Sequence, residues 1–328
     1  MYSLFRTISG LFGAEFVHHG SLSLLEHAPN ICFRAPKKDP LKVMGLDFDH
    51  PVGLAAGFDK NGEHVHALAK LGFSFIEVGT VTPYAQAGNP KPRLFRVPEQ
   101  KALINRMGFN NEGVDALVAR LKALDYQGVL GVSIGPNKTT ATDKVWQDYT
   151  YCMDRVYPLA DYIAVNISSP NTPGLRTLQK LDYFAKLTKF LHAKQKELSD
   201  VYQKHVPVVI KISPDESDEG LKEMAGQAVK AGLDGMIVTN TTVARKSLRN
   251  TRFERELGGL SGKPLATRAG ACLDLVKSEV GDDMTLIASG GIYSALEAQQ
   301  RLEAGASLVQ LYTGLVYRGP RLIREILD

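Results

Sequence analysis

Two amides and three hydroxyls fall within seven positions in the stretch Asn166-Ile167-Ser168-Ser169-Pro170-Asn171-Thr172-Pro173-Gly174. It follows an apolar, β-type run, Tyr162 to Val165, and its prolines stiffen the backbone. Asparagine both donates and accepts, so such a loop can hold a small polar ring and present one hydroxyl to it. A plain strand-to-helix turn uses the same residue types, and the stretch alone leaves both readings open. Lys211, inside Val206-Pro-Val-Val-Ile-Lys-Ile212, either pairs with a carboxylate or places fixed positive charge beside a ligand ring. Lys60, in Ala55-Ala-Gly-Phe-Asp-Lys60-Asn-Gly62, is either solvated or the partner of a substrate carboxylate. Asn105-Arg106-Met107-Gly108-Phe109-Asn110-Asn111 has amides that suit the edge of a nitrogen heterocycle, or Asx turns and caps. Gly290-Gly291 and Thr313-Gly314 have the glycine content of a phosphate-binding turn, where backbone N–H groups approach a ligand closely.

Eight runs of one kind must position these groups. They are 52–58, 74–80, 129–135, 162–168, 206–212, 235–241, 285–291 and 308–314, each apolar and ending in Gly, Ser, Thr, Asn or Lys or just past one. Near-continuous apolar strands are buried on both faces, and their alternation with helical stretches means βαβ units. Eight units predict a (β/α)8 TIM barrel, whose active site lies where the C-terminal strand ends converge. A doubly wound dinucleotide fold is disfavoured, because Gly53-Leu-Ala-Ala-Gly57 lacks the G-x-G-x-x-G spacing. Long intervals before the third and seventh runs predict extra loops or small strands at the active face.

At 328 residues and 44% hydrophobic, the chain can bury a large core. The 39 basic and 35 acidic residues give a small, dispersed excess that argues against nucleic acid as a partner. Cys32, Cys152 and Cys272 are widely spaced, and the eight histidines show no metal-ligand pattern, so no metal is expected and surface positions are expected for the histidines. No apolar run approaches a membrane span. Leu4, Phe5, Ile8, Leu11 and Phe12 form one apolar helical face, and a second helical stretch runs from about Ala14 to Glu26. This predicts a helical hairpin over residues 1–40, either packed as a cap or lying on a membrane, ahead of a barrel over 41–328.

The segments Gly53-Leu-Ala-Ala-Gly-Phe-Asp-Lys60, Glu77-Val-Gly-Thr-Val-Thr-Pro83, Pro92-Arg-Leu-Phe-Arg96, Ile104 to Asn111, Asn166 to Arg176, Lys211-Ile-Ser-Pro-Asp215, Thr239-Asn-Thr-Thr242 and Gly258 to Leu265 occur in that order. Together they resemble the class 2, quinone-dependent dihydroorotate dehydrogenases over nearly the whole chain. The resemblance implies a barrel that binds FMN and oxidises dihydroorotate to orotate in pyrimidine synthesis, with a membrane quinone as final acceptor. It implies Ser169 as catalytic base, and Lys60, Asn105, Arg106, Met107, Gly108, Phe109, Asn166, Asn171, Asn240 and Thr241 as substrate ligands. It implies Ala56, Gly57, Lys60, Thr80, Asn166, Lys211, Thr239, Gly262, Gly291, Tyr312 and Thr313 as FMN contacts. Ser133 stands where many members have Asn, and Pro136 replaces a usual Lys, so Ser133 is expected as a weaker FMN contact. The hairpin resembles the quinone tunnel and membrane-docking element, with His18 and Arg96 near its inner end. The expected location is the cytoplasmic face of a bacterial cell membrane. Two readings compete: another FMN barrel reducing dihydropyrimidines with a cysteine acid, and a silent barrel binding a phosphate metabolite or a membrane partner. Ser169 argues against the first, and absence of flavin would favour the second.

Overall fold

The structure, a computed structural model, describes residues 12–29, 31, 33–172 and 174–328. The Leu4, Phe5, Ile8 and Leu11 part of the expected hairpin lies outside the described residues, as do Cys32 and Pro173. Helix α1 (Ala14–His27) is present where the second helical stretch was expected. Two short strands, β1 (Leu41–Val43) and β2 (Leu46–Phe48), then form an antiparallel hairpin.

All eight expected runs are strands of one closed parallel barrel. In chain order they are β3 (Val52–Leu54), β4 (Phe75–Val81), β9 (Val129–Ile134), β10 (Tyr162–Asn166), β11 (Val208–Ile212), β12 (Gly235–Val238), β14 (Thr285–Ser289) and β15 (Leu308–Leu311). β15 pairs with β3, Val309 opposite Val52, and this closes the ring. Helices cover the outside. One, Asp218–Ala231, shows local specification well: Ser217 Oγ accepts the Gly220 N–H at 3.0 Å, and Gly232 ends the helix in a left-handed conformation.

Alternation along the strands turns Phe75, Val129, Tyr162, Val209, Ile237, Ile287 and Leu308 into the barrel at its N-terminal end. Val43 and Phe48 of the hairpin pack onto them and plug that end. Gly53 and Gly131 make room for the rings: a Cβ would sit 2.3 Å from Phe75 Cζ at the first and 2.1 Å from Tyr162 Cζ at the second. The apolar layer is therefore dense, and space remains only toward the C-terminal end.

The two long intervals carry added strands, as expected. β5 (Tyr84–Gln86), β6 (Leu94–Val97), β7 (Ala102–Asn105) and β8 (Asn111–Gly113) fill the first, and β13 (Gly259–Gly262) the second. β13, β7 and β6 form one small antiparallel sheet over the barrel mouth. Helix α1 leans on it through Arg93, which donates to Glu15 at 2.7 Å, and through Arg96, which donates to Phe12 O at 2.6 Å. Lys70 reaches the carbonyls of Glu26 and Ala28 at 2.9 and 3.0 Å, so the far end of the helix is tied as well.

Candidate active site

A cleft of about 1060 Å³, counting its open mouth, occupies the C-terminal end of the barrel. Lys60, Asn105, Met107, Gly108, Phe109, Asn166, Asn171, Asn240 and Thr241 line it, and so do Ala56, Gly57, Thr80, Lys211, Thr239, Gly262, Gly291, Tyr312, Thr313 and Ser169. Most of these sequence-distant groups share one cavity because they lie at the C-terminal ends of strands of the same closed ring, while Asn105 to Phe109 and Gly262 reach it from the small sheet above.

The loop after β10 is held by its own side chains. Asn166 Nδ2 donates to Thr80 Oγ1 at 3.0 Å, and its Oδ1 accepts the Ser168 N–H at 3.2 Å. Asn240 Nδ2 reaches Ser168 Oγ at 2.9 Å, and Ser168 Oγ donates to Lys211 O at 2.7 Å. Ser168 is therefore occupied in tying three strands together, whereas Ser169 lines the cleft and, among the described residues, accepts only the Asn171 N–H, at 3.3 Å. Asn171 Nδ2 donates to Asn105 O at 3.1 Å, which joins this loop to the small sheet. Arg176 braces the loop from behind through Asp215, at 3.0 Å.

The two lysines differ in kind. Lys60 Nζ donates to Gly57 O at 2.9 Å, and burial, with the Arg93 charge beside it, pushes its pKa down to about 8. Lys211 is buried, makes no salt bridge and has no hydrogen-bond acceptor for its ammonium among the described residues. Lys211 thus makes no direct salt bridge among the described residues, and its side chain lines the cleft. At the opposite wall Gly262 and Gly291 have φ of +94° and +76°, which L side chains rarely adopt. Ser261 Oγ and Thr313 Oγ1 are 2.7 Å apart beside them, at the start of the helix Thr313–Arg318.

Of the residues expected at the substrate or FMN, Arg106 and Ser133 do not line the cleft. Arg106 turns away and pairs with Glu256, over the Phe95 ring. Ser133 is fully buried and bonds Thr80 Oγ1 at 2.9 Å, so its short hydroxyl supports Thr80 from behind. His18 and Arg96 stand at α1: His18 Nε2 is 2.8 Å from Phe58 O, and the His18, Phe58 and Tyr312 rings follow one another at 5.0 and 5.3 Å. Burial, with the Lys60 charge, pushes the His18 pKa down to about 3, so the ring is neutral. The surface expectation for the histidines is corrected at His50, which is 2% exposed and accepts the Val52 N–H. Asn137, at the end of β9, also serves structure, holding Tyr84 and Gln86. Among the described residues no cluster of His, Cys, Asp or Glu fits a metal, and no helix is long and apolar enough to cross a membrane.

Several lining residues were given no role of their own by the sequence: Ala55, Pro170, Ser261, Leu265, Ser289, Ile292 and Gln310. Gln310 had a signal, as an amide inside the apolar run Leu308-Val-Gln-Leu311.

Residues 40–328 match the family model described as dihydroorotate dehydrogenase. A Legionella pneumophila (strain Corby) protein named dihydroorotate dehydrogenase (quinone) is 54% identical over 328 residues, all of this chain and 98% of that one. An Alkalilimnicola ehrlichii protein of the same name is 49% identical over 333 residues, covering 100% and 98%. The crystal structure of Eimeria tenella dihydroorotate dehydrogenase with ferulenol superposes with a TM-score of 0.88 at 39% identity, covering 96% of this chain and 89% of that one. With a barrel, a cleft and full-length relatives all in agreement, the chain belongs to the dihydroorotate dehydrogenase family, in its quinone-dependent class.

Proposed function

We propose that the chain oxidises dihydroorotate to orotate with FMN as the hydride acceptor and a membrane quinone as the final acceptor, as a step of pyrimidine synthesis. The carrying observation is the cleft itself: one reactive hydroxyl, a ring of amides and two lysines of different character share it. The residues fit FMN. Gln310 Oε1 is a buried acceptor without a partner, Lys211 is a donor without an acceptor, and a flavin's pyrimidine edge offers both complements. Thr239, Asn166 and Lys211 would hold that edge, and Gly262, Gly291, Tyr312 and Thr313 the phosphate end. When bound, FMN supplies the two-electron acceptor for the hydrogen leaving C6 of the substrate.

The chain's own groups do the rest. Lys60 pairs with the substrate carboxylate, and Asn105, Asn166, Asn171 and Asn240 orient the ring edges. Ser169 Oγ takes the C5 proton as its own hydroxyl proton leaves. A serine is a weak base unaided. Thr172 Oγ1, on the same loop and buried without a partner among the described residues, is the group we assign to receive that proton through water. We assign residues 1–40 to quinone access and docking on the cytoplasmic face of a bacterial membrane, and 41–328 to the catalytic barrel. The exposed Phe12, Phe16 and Leu24 of the helical region support docking. The test is turnover of dihydroorotate with a soluble quinone, compared with fumarate and NAD. Activity with quinone alone is expected. Equal rates with fumarate or NAD, or a colourless protein, would overturn the reading.

A further inference from the structure

The eight barrel strands carry one acidic side chain, Glu77, and one basic side chain, Lys211. Both point inward by alternation, at different heights. Lys211 is in register with Asn166 near the top of the barrel. Glu77 is level with Gly131 and Tyr162, one layer deeper. The missing side chain at Gly131 lets the Tyr162 ring turn inward at this level.

Glu77 is fully buried. Its Oε2 accepts from Tyr162 Oη at 2.8 Å and from Gln310 Nε2 at 2.7 Å, and its Oε1 has no partner. A lone carboxylate in an apolar layer is costly unless donors and a cation face it. Tyr162 stays a donor, because burial and then the Glu77 charge push its pKa well up. Lys211 has the complementary problem. Burial lowers its pKa, and Glu77 is the neighbouring charge that pulls it back. The other titratable groups around the cleft are Tyr162 on β10, Tyr312 after β15 and Lys60 after β3. The flanking strands bring the neutral Asn166 and Thr239.

We propose that Glu77, held by Tyr162 and Gln310 beneath the cleft, is the counter-charge that keeps Lys211 an ammonium beside the bound cofactor. Glu77 acts through Lys211, so it is a positioning residue. The same contact to Gln310 Nε2 fixes that amide and leaves its Oε1 as the acceptor beside the cleft. The inference rests on the flavin reading above.

The experiment compares the FMN-loaded full chain with Glu77→Gln, reading the midpoint potential of bound FMN from neutral to alkaline pH. In the variant Lys211 loses its proton at lower pH and regains it when negative charge forms on the cofactor. Reduction then takes up one further proton, a tenfold steeper change of the reduction equilibrium per pH unit over that range. Adding Lys211→Arg to Glu77→Gln is expected to abolish the added slope, because a guanidinium does not titrate there. Identical slopes in the original and Glu77→Gln proteins overturn the proposal. If Glu77→Gln does not load FMN, Glu77→Gln with Lys211→Met leaves no lone buried charge and is expected to recover folding. A double variant that unfolds as readily as Glu77→Gln overturns the proposal in favour of a packing role; folding rather than FMN content is the readout here, because Lys211 is itself placed at the cofactor. Failure of the original protein to bind FMN would count against the functional reading instead.

Discussion

Glu15→Ala tests how α1 is held. Glu15 faces Arg93 with side-chain exposures of 13% and 8%. Arg93 donates to Glu15 from Nε at 3.2 Å and from Nη2 at 2.7 Å, and also to Ala87 O and Asn89 O at 2.6 and 3.0 Å. Breaking a buried pair from one side costs about 3–5 kcal/mol. Arg93 keeps its two carbonyl acceptors, so the lower figure is reduced to about 2 kcal/mol. At 1.4 kcal/mol per factor of ten, docking weakens about 30-fold. Burial raises the Glu15 pKa, but the hydrogen bond and charge of Arg93 outweigh it and hold the carboxyl below 4.5. The folded pKa is depressed, so this contribution is present above the ordinary carboxylate pKa and fades as pH falls through the folded value. Amide exchange of residues 17–27 is the assay, with about 30-fold faster exchange expected. Quinone turnover should fall with it, while flavin reduction by dihydroorotate stays. Unchanged exchange in the variant would refute the reasoning.

Three further outcomes are expected. Ser169→Ala should keep FMN bound and lose about 10²- to 10⁴-fold in flavin reduction by dihydroorotate, measured in a single turnover; Ser169→Cys should retain part of it. Gly291→Ala should lose FMN, because its Cβ would stand 2.2 Å from Ala266 Cα and φ is +76°; a flavin content equal to the original would contradict this. The free-enzyme Lys60 has its pKa lowered to about 8, so its charge is lost as pH rises through that value. KM for dihydroorotate should climb about tenfold per pH unit above it, and Lys60→Ala should show no such climb and bind orotate weakly at all pH values.

Barrel strands were legible because burial on both faces demands apolar runs, and their number, with no G-x-G-x-x-G turn after the first, favoured a barrel over a doubly wound sheet. Lys60, Thr80, Asn166, Ser169, Lys211, Thr239, Asn240, Gly291, Tyr312 and Thr313 followed from their place at strand ends, whereas Ala56, Met107, Gly108, Phe109 and Gly262 came only with the family resemblance. Ser133 and Arg106 did not follow, because a side chain's direction depends on neighbours far away in the chain: Thr80 for one, Glu256 for the other. Gln310 was missed for the opposite reason. A single amide in an apolar run looks like a defect until Glu77, 233 positions away, is seen to accept from it.

The plug at the closed end of the barrel has a consequence at the cleft. Phe48 meets Phe75 edge-on at 5.5 Å, Phe75 meets Tyr162 at 6.4 Å, and the Tyr162 hydroxyl ends on Glu77. A surface hairpin with no chemical role is thus linked, ring by ring, to the floor of the cleft. Swapping Phe48 for a smaller residue would leave a cavity against Phe75 and remove the first ring of that ladder. The packing of the hairpin and the position of the Glu77 carboxylate are thereby parts of one stack, so a change of volume at the plug is felt at the floor of the cleft.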